Sequence, residues 1–246
     1  MQKQIIGNAT LYCGDVLDVL PALSERFDAV ITDPPYSSGG THKSDRSMAP
    51  SDKYVGHTQY AEFTGDNRDQ RSWAFWCSMW ISHALHRLNP GGYFMVFSDW
   101  RQLPALTDAF QAGGVLWRGL VVWDKTQASR APHTGYFRHQ AEYLVWGSNG
   151  NLNKCLRGYA FPGVITQRVV PSEKLHMTAK PVQLMSELVK PLAPDAHVLD
   201  PFMGSGTTAI PVLARGGRFT GIEMTNQYFD IACARLEKAQ AEAAQV

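Results

Sequence analysis

The run Val30-Ile31-Thr32-Asp33-Pro34-Pro35-Tyr36 ends a β-branched stretch in an acid, two prolines and an aromatic ring. Two prolines hold the backbone rigid and extended just past the strand. Asp33 then projects from the carboxyl end of that strand, where open α/β sheets bind their ligands. The Asp33 carboxylate and the Pro34 carbonyl are fixed acceptors, and Tyr36 adds a π-face. Acceptors beside a stacking ring suit an exocyclic NH2 group on a planar base. The plain alternative is an acid that only caps a tight Pro-Pro turn.

A second run, Val198-Leu199-Asp200-Pro201-Phe202-Met203-Gly204-Ser205-Gly206-Thr207-Thr208, leads from a strand into a helical pattern. Its small glycines let a ligand approach the backbone between strand and helix. It is no phosphate-binding P-loop, because the G-x-x-x-x-G-K-[ST] pattern and its lysine are missing. The next strand ends in Glu223, the position at which an acid grips ribose hydroxyls in nucleoside-binding sheets.

Apolar runs alternate with helical patterns around these motifs, which predicts an α/β fold with a mostly parallel sheet. Strands are expected at 9–12, 29–32, 93–98, 116–123, 142–146, 197–200 and 218–223. Helices are expected at 73–88, 101–112, 182–192, 207–215 and 226–241. Asn89-Pro90-Gly91-Gly92 and Gly216-Gly217 read as stops. Trp73, Trp76 and Trp80, at helical spacing, read as core. Residues 1–246 are expected to form a single domain, with a long polar loop at 37–72 and a small inserted recognition region at about 147–180.

The net charge is only +1, but it is unevenly spread. Residues 124–180 carry 8 basic and 3 acidic side chains, while the stretches on either side each carry a net −2. That basic middle also holds His133, His139 and His176. Arg130, Arg138, His139, Arg157 and Arg168 are its candidate nucleic-acid contacts, and a solvated face is the competing reading. Arg68 and Arg71 have similar standing. Cys13, Cys77, Cys155 and Cys233 are far apart, so neither a zinc site nor a disulfide framework is expected, and no metal. No apolar run is long enough to span a bilayer, and the N-terminus has no signal-peptide core, so a cytoplasmic protein is expected.

Asp33-Pro34-Pro35-Tyr36 resembles the catalytic motif of amino-group DNA methyltransferases, and Asp200 to Thr208 resembles their cofactor motif. Gly14-Asp15, His176-Met177-Thr178-Ala179-Lys180-Pro181 and Gly221-Ile222-Glu223 match further elements of the same family. The catalytic motif precedes the cofactor motif, which is the β-class order, and the resemblance covers nearly the whole chain. It implies a circularly permuted, Rossmann-like S-adenosylmethionine-dependent methyltransferase fold acting on double-stranded DNA, in a bacterial or phage-encoded setting.

The resemblance also implies roles. Asp33, Pro34, Pro35 and Tyr36 would hold the target base. Asp15, Asp33, Thr178, Lys180, Asp200, Pro201, Phe202, Gly204, Ser205, Gly206, Thr207 and Glu223 would hold S-adenosylmethionine. Within that set Asp15 and Phe202 would lie near the adenine, Glu223 at the ribose, and Thr178 and Lys180 at the methionine end. The recognition region is short for the family and the loop 37–72 correspondingly long, so recognition is expected to be shared between those two, or between two subunits of a homodimer, which would suit a palindromic site. N6 of adenine is the expected target. N4 of cytosine, a protein glutamine and a catalytically silent DNA-binding module are the rivals.

Overall fold

The computed structural model describes residues 1–36, 68–129, 131, 133–152, 159–169 and 180–243. Among these residues the strands are β1 (Gln2–Ile6), β2 (Ala9–Cys13), β3 (Phe27–Thr32), β4 (Leu88–Ser98), β5 (Leu116–Asp124), β6 (Ala141–Ser148), β7 (Val164–Thr166), β8 (His197–Asp200) and β9 (Arg218–Glu223). The helices are α1 (Val16–Ala22), α2 (Gln70–Arg87), α3 (Leu103–Ala112), α4 (Val182–Leu188), α5 (Ala209–Ala214) and α6 (Asn226–Ala243).

All nine strands form one sheet in the order β1-β2-β9-β8-β3-β4-β6-β5-β7. The central run from β2 to β4 is parallel, while β1 and β6 run antiparallel to their neighbours. This is the α/β, mostly parallel architecture that the motif order implies. β3 and β8 are buried almost throughout, because both sheet faces are covered. Side chains alternate between faces. Ala29, Ile31 and Val198 pack with Met185 of α4, Val212 of α5 and Phe229 of α6. Val30 and Leu199 pack with Leu20 of α1, Trp80 of α2 and Phe110 of α3. Two helical layers therefore sandwich the sheet. Trp73 and Trp80 are fully buried and Trp76 nearly so, as the helical spacing predicts.

Pairing of β3 with β8, at Ala29 with Val198 and Val30 with Leu199, is what brings the two motifs together. They end on adjacent strands despite their separation in sequence.

Three elements escape sequence reading. β1 is a polar edge strand with four exposed residues, so it shows no period-2 signal. α1 has only seven residues and carries Pro21 in its last turn. β7 has three. Residues 70–72, expected in the loop 37–72, begin α2, because Asp69 accepts from Arg71 N (3.0 Å) and Ser72 N (3.1 Å) and caps it. Asn89–Gly92 interrupts the β3 pairing but remains part of β4. Gly91 N donates to Asn149 O (2.6 Å) and Asn149 N to Gly92 O (3.0 Å), so the backbone stays laddered to the β6 side. Gly91 has φ +76°, which glycine tolerates at no steric cost. No helix among the described residues is long and apolar enough to cross a membrane.

Candidate active site

A cleft opens at the carboxyl ends of β2, β3, β8 and β9. Each strand feeds it a short turn: Gly14-Asp15, Asp33 to Tyr36, Asp200 to Thr208, and Glu223 to Thr225. Trp76 of α2, Phe97 of β4, Lys180 and Met185 of α4 complete the wall. Thus Asp15, Asp33, Pro34, Pro35, Tyr36, Lys180, Asp200, Pro201, Phe202, Gly204, Ser205, Thr207 and Glu223 all meet around one space. Gly206 faces away: a Cβ there would meet Ala232 of α6 at 3.4 Å, and its φ is +74°. Thr178 lies outside the described residues.

At one end the carboxylates are held by uncharged donors. Asp200 accepts from Thr32 Oγ1 (2.6 Å), Phe202 N (3.1 Å) and Thr208 Oγ1 (2.5 Å). It staples the end of β3 to the turn after β8. Burial pushes its carboxyl up to about 6, against the pull of these three donors. Glu223 accepts from Gly204 N (3.1 Å) and Thr225 N (2.8 Å), so the glycine turn is tied to the end of β9. Burial raises its pKa as well, in opposition to those backbone bonds. Asp15 caps α1 by accepting from Leu17 N (2.8 Å). Arg235 of α6 props the turn from behind, donating to Ser205 O (3.2 Å) and Thr207 Oγ1 (2.9 Å). Phe202 packs against Trp76 and Trp80, with ring centroids 5.3 and 5.1 Å away.

At the other end the carboxylates share cations. Tyr36 OH donates to Asp33 Oδ1, and Lys180 Nζ bonds Asp33 Oδ2. Glu142, at the start of β6, lies behind them. Its Oε1 is 2.9 Å from Lys180 Nζ and 3.0 Å from Tyr36 OH, and its Oε2 is 3.5 Å from Lys125 Nζ. Trp73 Nε1 donates to Pro35 O (2.7 Å), which anchors the Pro-Pro turn to α2. Burial works against the ammonium of Lys180, but Asp33 and Glu142 outweigh it and push Lys180 up to about 12. Glu142 has two cations where Asp33 has one. Burial therefore wins at Asp33, whose pKa rises, while Lys180 and Lys125 overcome burial at Glu142, whose pKa falls. Burial and the two carboxylates raise the Tyr36 phenol well above its ordinary value, so it stays a neutral donor.

Sequence reading missed Glu142. Its signal is an acid inside an apolar strand pattern, since a buried acid demands a partner, but nothing local names that partner. Lys180, expected at the cofactor's methionine end, sits in this charged cluster.

Of the candidate nucleic-acid contacts, Arg68 lines the cleft, with its guanidinium 5.1 Å from the Trp76 ring, while the other described ones stand outside it. Arg138 and Arg168 are exposed and do not line the cleft. Arg138 donates to Ser129 O (2.8 Å). His139 lies 6.3 Å from the Trp100 ring. Arg130 and Arg157 lie outside the described residues. The loop between β5 and β6 also presents Phe137, 95% exposed, and Tyr136, 66% exposed. β6 runs antiparallel to β4, so this loop sits at the same edge of the sheet as the cleft. Among the described residues no cluster of His, Cys, Asp and Glu is placed to hold a metal.

Comparison with known proteins places this architecture among relatives. The model of a protein family described as DNA methylase matches residues 27–162 and 151–234. The type II methyltransferase M2.DpnII of Streptococcus pneumoniae is 26% identical over 232 residues, covering 87% of this chain and 83% of its own. M2.LlaDCHI of Lactococcus lactis subsp. cremoris, also a type II methyltransferase, is 25% identical over 252 residues, covering 94% of this chain and 90% of its own. Among solved structures, the M1.HpyAVI–SAM complex shares the fold at a TM-score of 0.67 with 22% identity, over 93% of this chain and 98% of that one. The cytosine-N4-specific PvuII DNA methyltransferase does so at 0.67 with 17% identity, over 96% and 91%.

Proposed function

The chain belongs to the N6/N4 DNA methylase family, and from that membership we propose that it moves a methyl group from S-adenosylmethionine to N6 of an adenine flipped out of duplex DNA. The observation that carries the reading is the Asp33 carboxylate at the wall of the cleft, beside the Tyr36 ring and the turn after β8. An amino group inside a duplex is hidden, so the base must leave the stack. Its lone pair is delocalised into the ring. Asp33 and the Pro34 carbonyl accept its two N–H bonds, which localises the lone pair on nitrogen. Tyr36 stacks on the ring, a contact worth roughly 1–3 kcal/mol. Catalysis is then mainly positioning and electrostatics.

The residues of the cleft fit the cofactor. Gly204, with φ +51°, carries the backbone through a left-handed turn that leaves no Cβ in the way. Glu223 and Asp15 supply acceptors for ribose and base, and Phe202 with Trp76 supplies an apolar wall for the adenine. S-adenosylmethionine supplies there a methyl group activated by its sulfonium. Residues 147–180 and the loop between β5 and β6 serve recognition in this reading, and the exposed Phe137 and Arg138, at the same edge of the sheet as the cleft, support it. The fold shared with the cytosine-N4-specific PvuII enzyme keeps N4 of cytosine as a second reading. Asp33 at the head of the catalytic motif favours adenine.

The test is to incubate the protein with duplex DNA and methyl-labelled S-adenosylmethionine, digest the DNA and identify the labelled nucleoside by mass spectrometry. The expected result is N6-methyladenine, absent with Asp33→Ala. N4-methylcytosine would keep the mechanism and overturn the base. No label in DNA would sink the reading.

A further inference from the structure

Both oxygens of Asp33 are occupied by the protein's own donors: Oδ1 by the Tyr36 hydroxyl and Oδ2 by the Lys180 ammonium. An incoming amino group must compete for that same carboxylate, and although each oxygen has a second lone pair, the donors already there have to share it or shift to another acceptor. In a buried site they cannot simply let go. A stranded ammonium loses its hydration without compensation, and an unpaired buried hydroxyl is costly as well.

We propose that Glu142 is the acceptor onto which Lys180 and the Tyr36 hydroxyl transfer their hydrogen bonds when the target amino group takes Asp33. The proposal rests on the methyl-transfer reading of the site and adds a positioning residue to it. Glu142 Oε1 already lies 2.9 Å from Lys180 Nζ and 3.0 Å from Tyr36 OH, so the exchange needs little movement. Tyr36 has one hydroxyl hydrogen and two carboxylate oxygens in reach, so it can serve only one of them at a time. Those two arrangements are the two states of the switch. Lys125 holds the other oxygen of Glu142 at 3.5 Å and, with Lys180, keeps that carboxylate ionised and ready to accept. Glu142 does not line the cleft, whereas Asp33 does, so the two acids divide the work: one faces the ligand and the other backs it. β6, which carries Glu142, is joined to β3 only through β4. The acceptor is thus held by a different part of the sheet from the motif it serves.

The test compares steady-state methylation by wild type, Glu142→Gln and Glu142→Asp, with cofactor affinity and Tm measured alongside. Gln keeps an oxygen for Tyr36 but removes the charge that would receive Lys180. A loss in kcat of about tenfold to a hundredfold is expected, with the cofactor Kd and the KM for DNA within about threefold of wild type. Asp is expected to recover part of the rate. Lys125→Met strips one of the two cations from Glu142 at the rim, and a loss of a few-fold in kcat is expected from it. If Glu142→Gln does not fold, this variant carries the comparison. Wild-type kcat in a folded Glu142→Gln overturns the proposal. So does a rate loss accompanied by lost cofactor affinity and not recovered by Asp, and so does wild-type kcat in Lys125→Met if Glu142→Gln does not fold. A wild-type protein that labels no DNA overturns the functional reading instead, which keeps the two failures distinct.

Discussion

The two ends of the cleft each bury a pair of carboxylates, and they satisfy them in opposite ways. Asp200 and Glu223 take backbone N–H groups and threonine hydroxyls, most of them within their own turns. Asp33 and Glu142 take ammonium groups and a phenol, and the Lys180–Asp33 pair spans 147 positions of sequence. Neutral local donors fix a shape, because the donors have nowhere else to go. Shared cations are different: with two carboxylates around each donor, the pairing can be exchanged. On the proposed reading, one end holds a cofactor in place and the other changes partners when a base arrives.

The sharpest way to break this comparison is Asp33→Ala. It should lower methyl transfer by about 10³-fold or more while the protein stays folded, since the base loses its charged acceptor in a water-poor site. Single-turnover transfer at saturating cofactor measures this, and near-wild-type turnover would refute the assignment. At the other end, Glu223→Ala should weaken cofactor binding by about 10- to 100-fold, the value of a hydrogen bond to a charged group. Calorimetry reads that affinity directly. Thr208→Val removes one donor from Asp200 and should cost about 1–3 kcal/mol of stability with little change in kcat. Denaturant unfolding checks it, and a large kcat effect would mean that Asp200 does more than hold the turn.

The smallest effect is a pH dependence. Asp200 has a folded pKa of about 6, above the roughly 3.9 of an unfolded aspartate. The folded state therefore binds more proton between those values, and this residue's contribution to stability falls as pH rises from about 4 to about 6. Asp200→Asn should remove that slope, which the difference between wild-type and variant stability curves over that range would show.

Much of the site was legible because its pieces are contiguous. Asp33-Pro34-Pro35-Tyr36 and the turn from Asp200 to Thr208 each sit on a strand end that apolar runs mark plainly. Adjacency of those strands follows from the β3–β8 pairing, which no local pattern encodes. Glu142 was hidden for the same reason: its partners Tyr36 and Lys180 lie in other segments, and an acid on a strand gives no sign of which cation it will meet. Arg235 was hidden on the polar stripe of a terminal helix, though it carries the turn from behind. Gly206 shows the converse case. Its motif position points to the ligand, but it does not line the cleft, and a Cβ on it would meet Ala232. Edge strand β1 and the short α1 left too little periodicity to read.

The most direct test of the division between the two ends measures two quantities on two variants: cofactor Kd and methyl-transfer rate at saturating cofactor, for Asp33→Ala and Glu223→Ala. Separable ends predict that Asp33→Ala binds cofactor within several-fold of wild type and transfers no measurable methyl. They predict that Glu223→Ala binds weakly and, once saturated, transfers at close to the wild-type rate. If instead each variant lost binding and transfer together, the cleft would act as one cooperative unit, and the account of a fixed end and an exchanging end would be wrong.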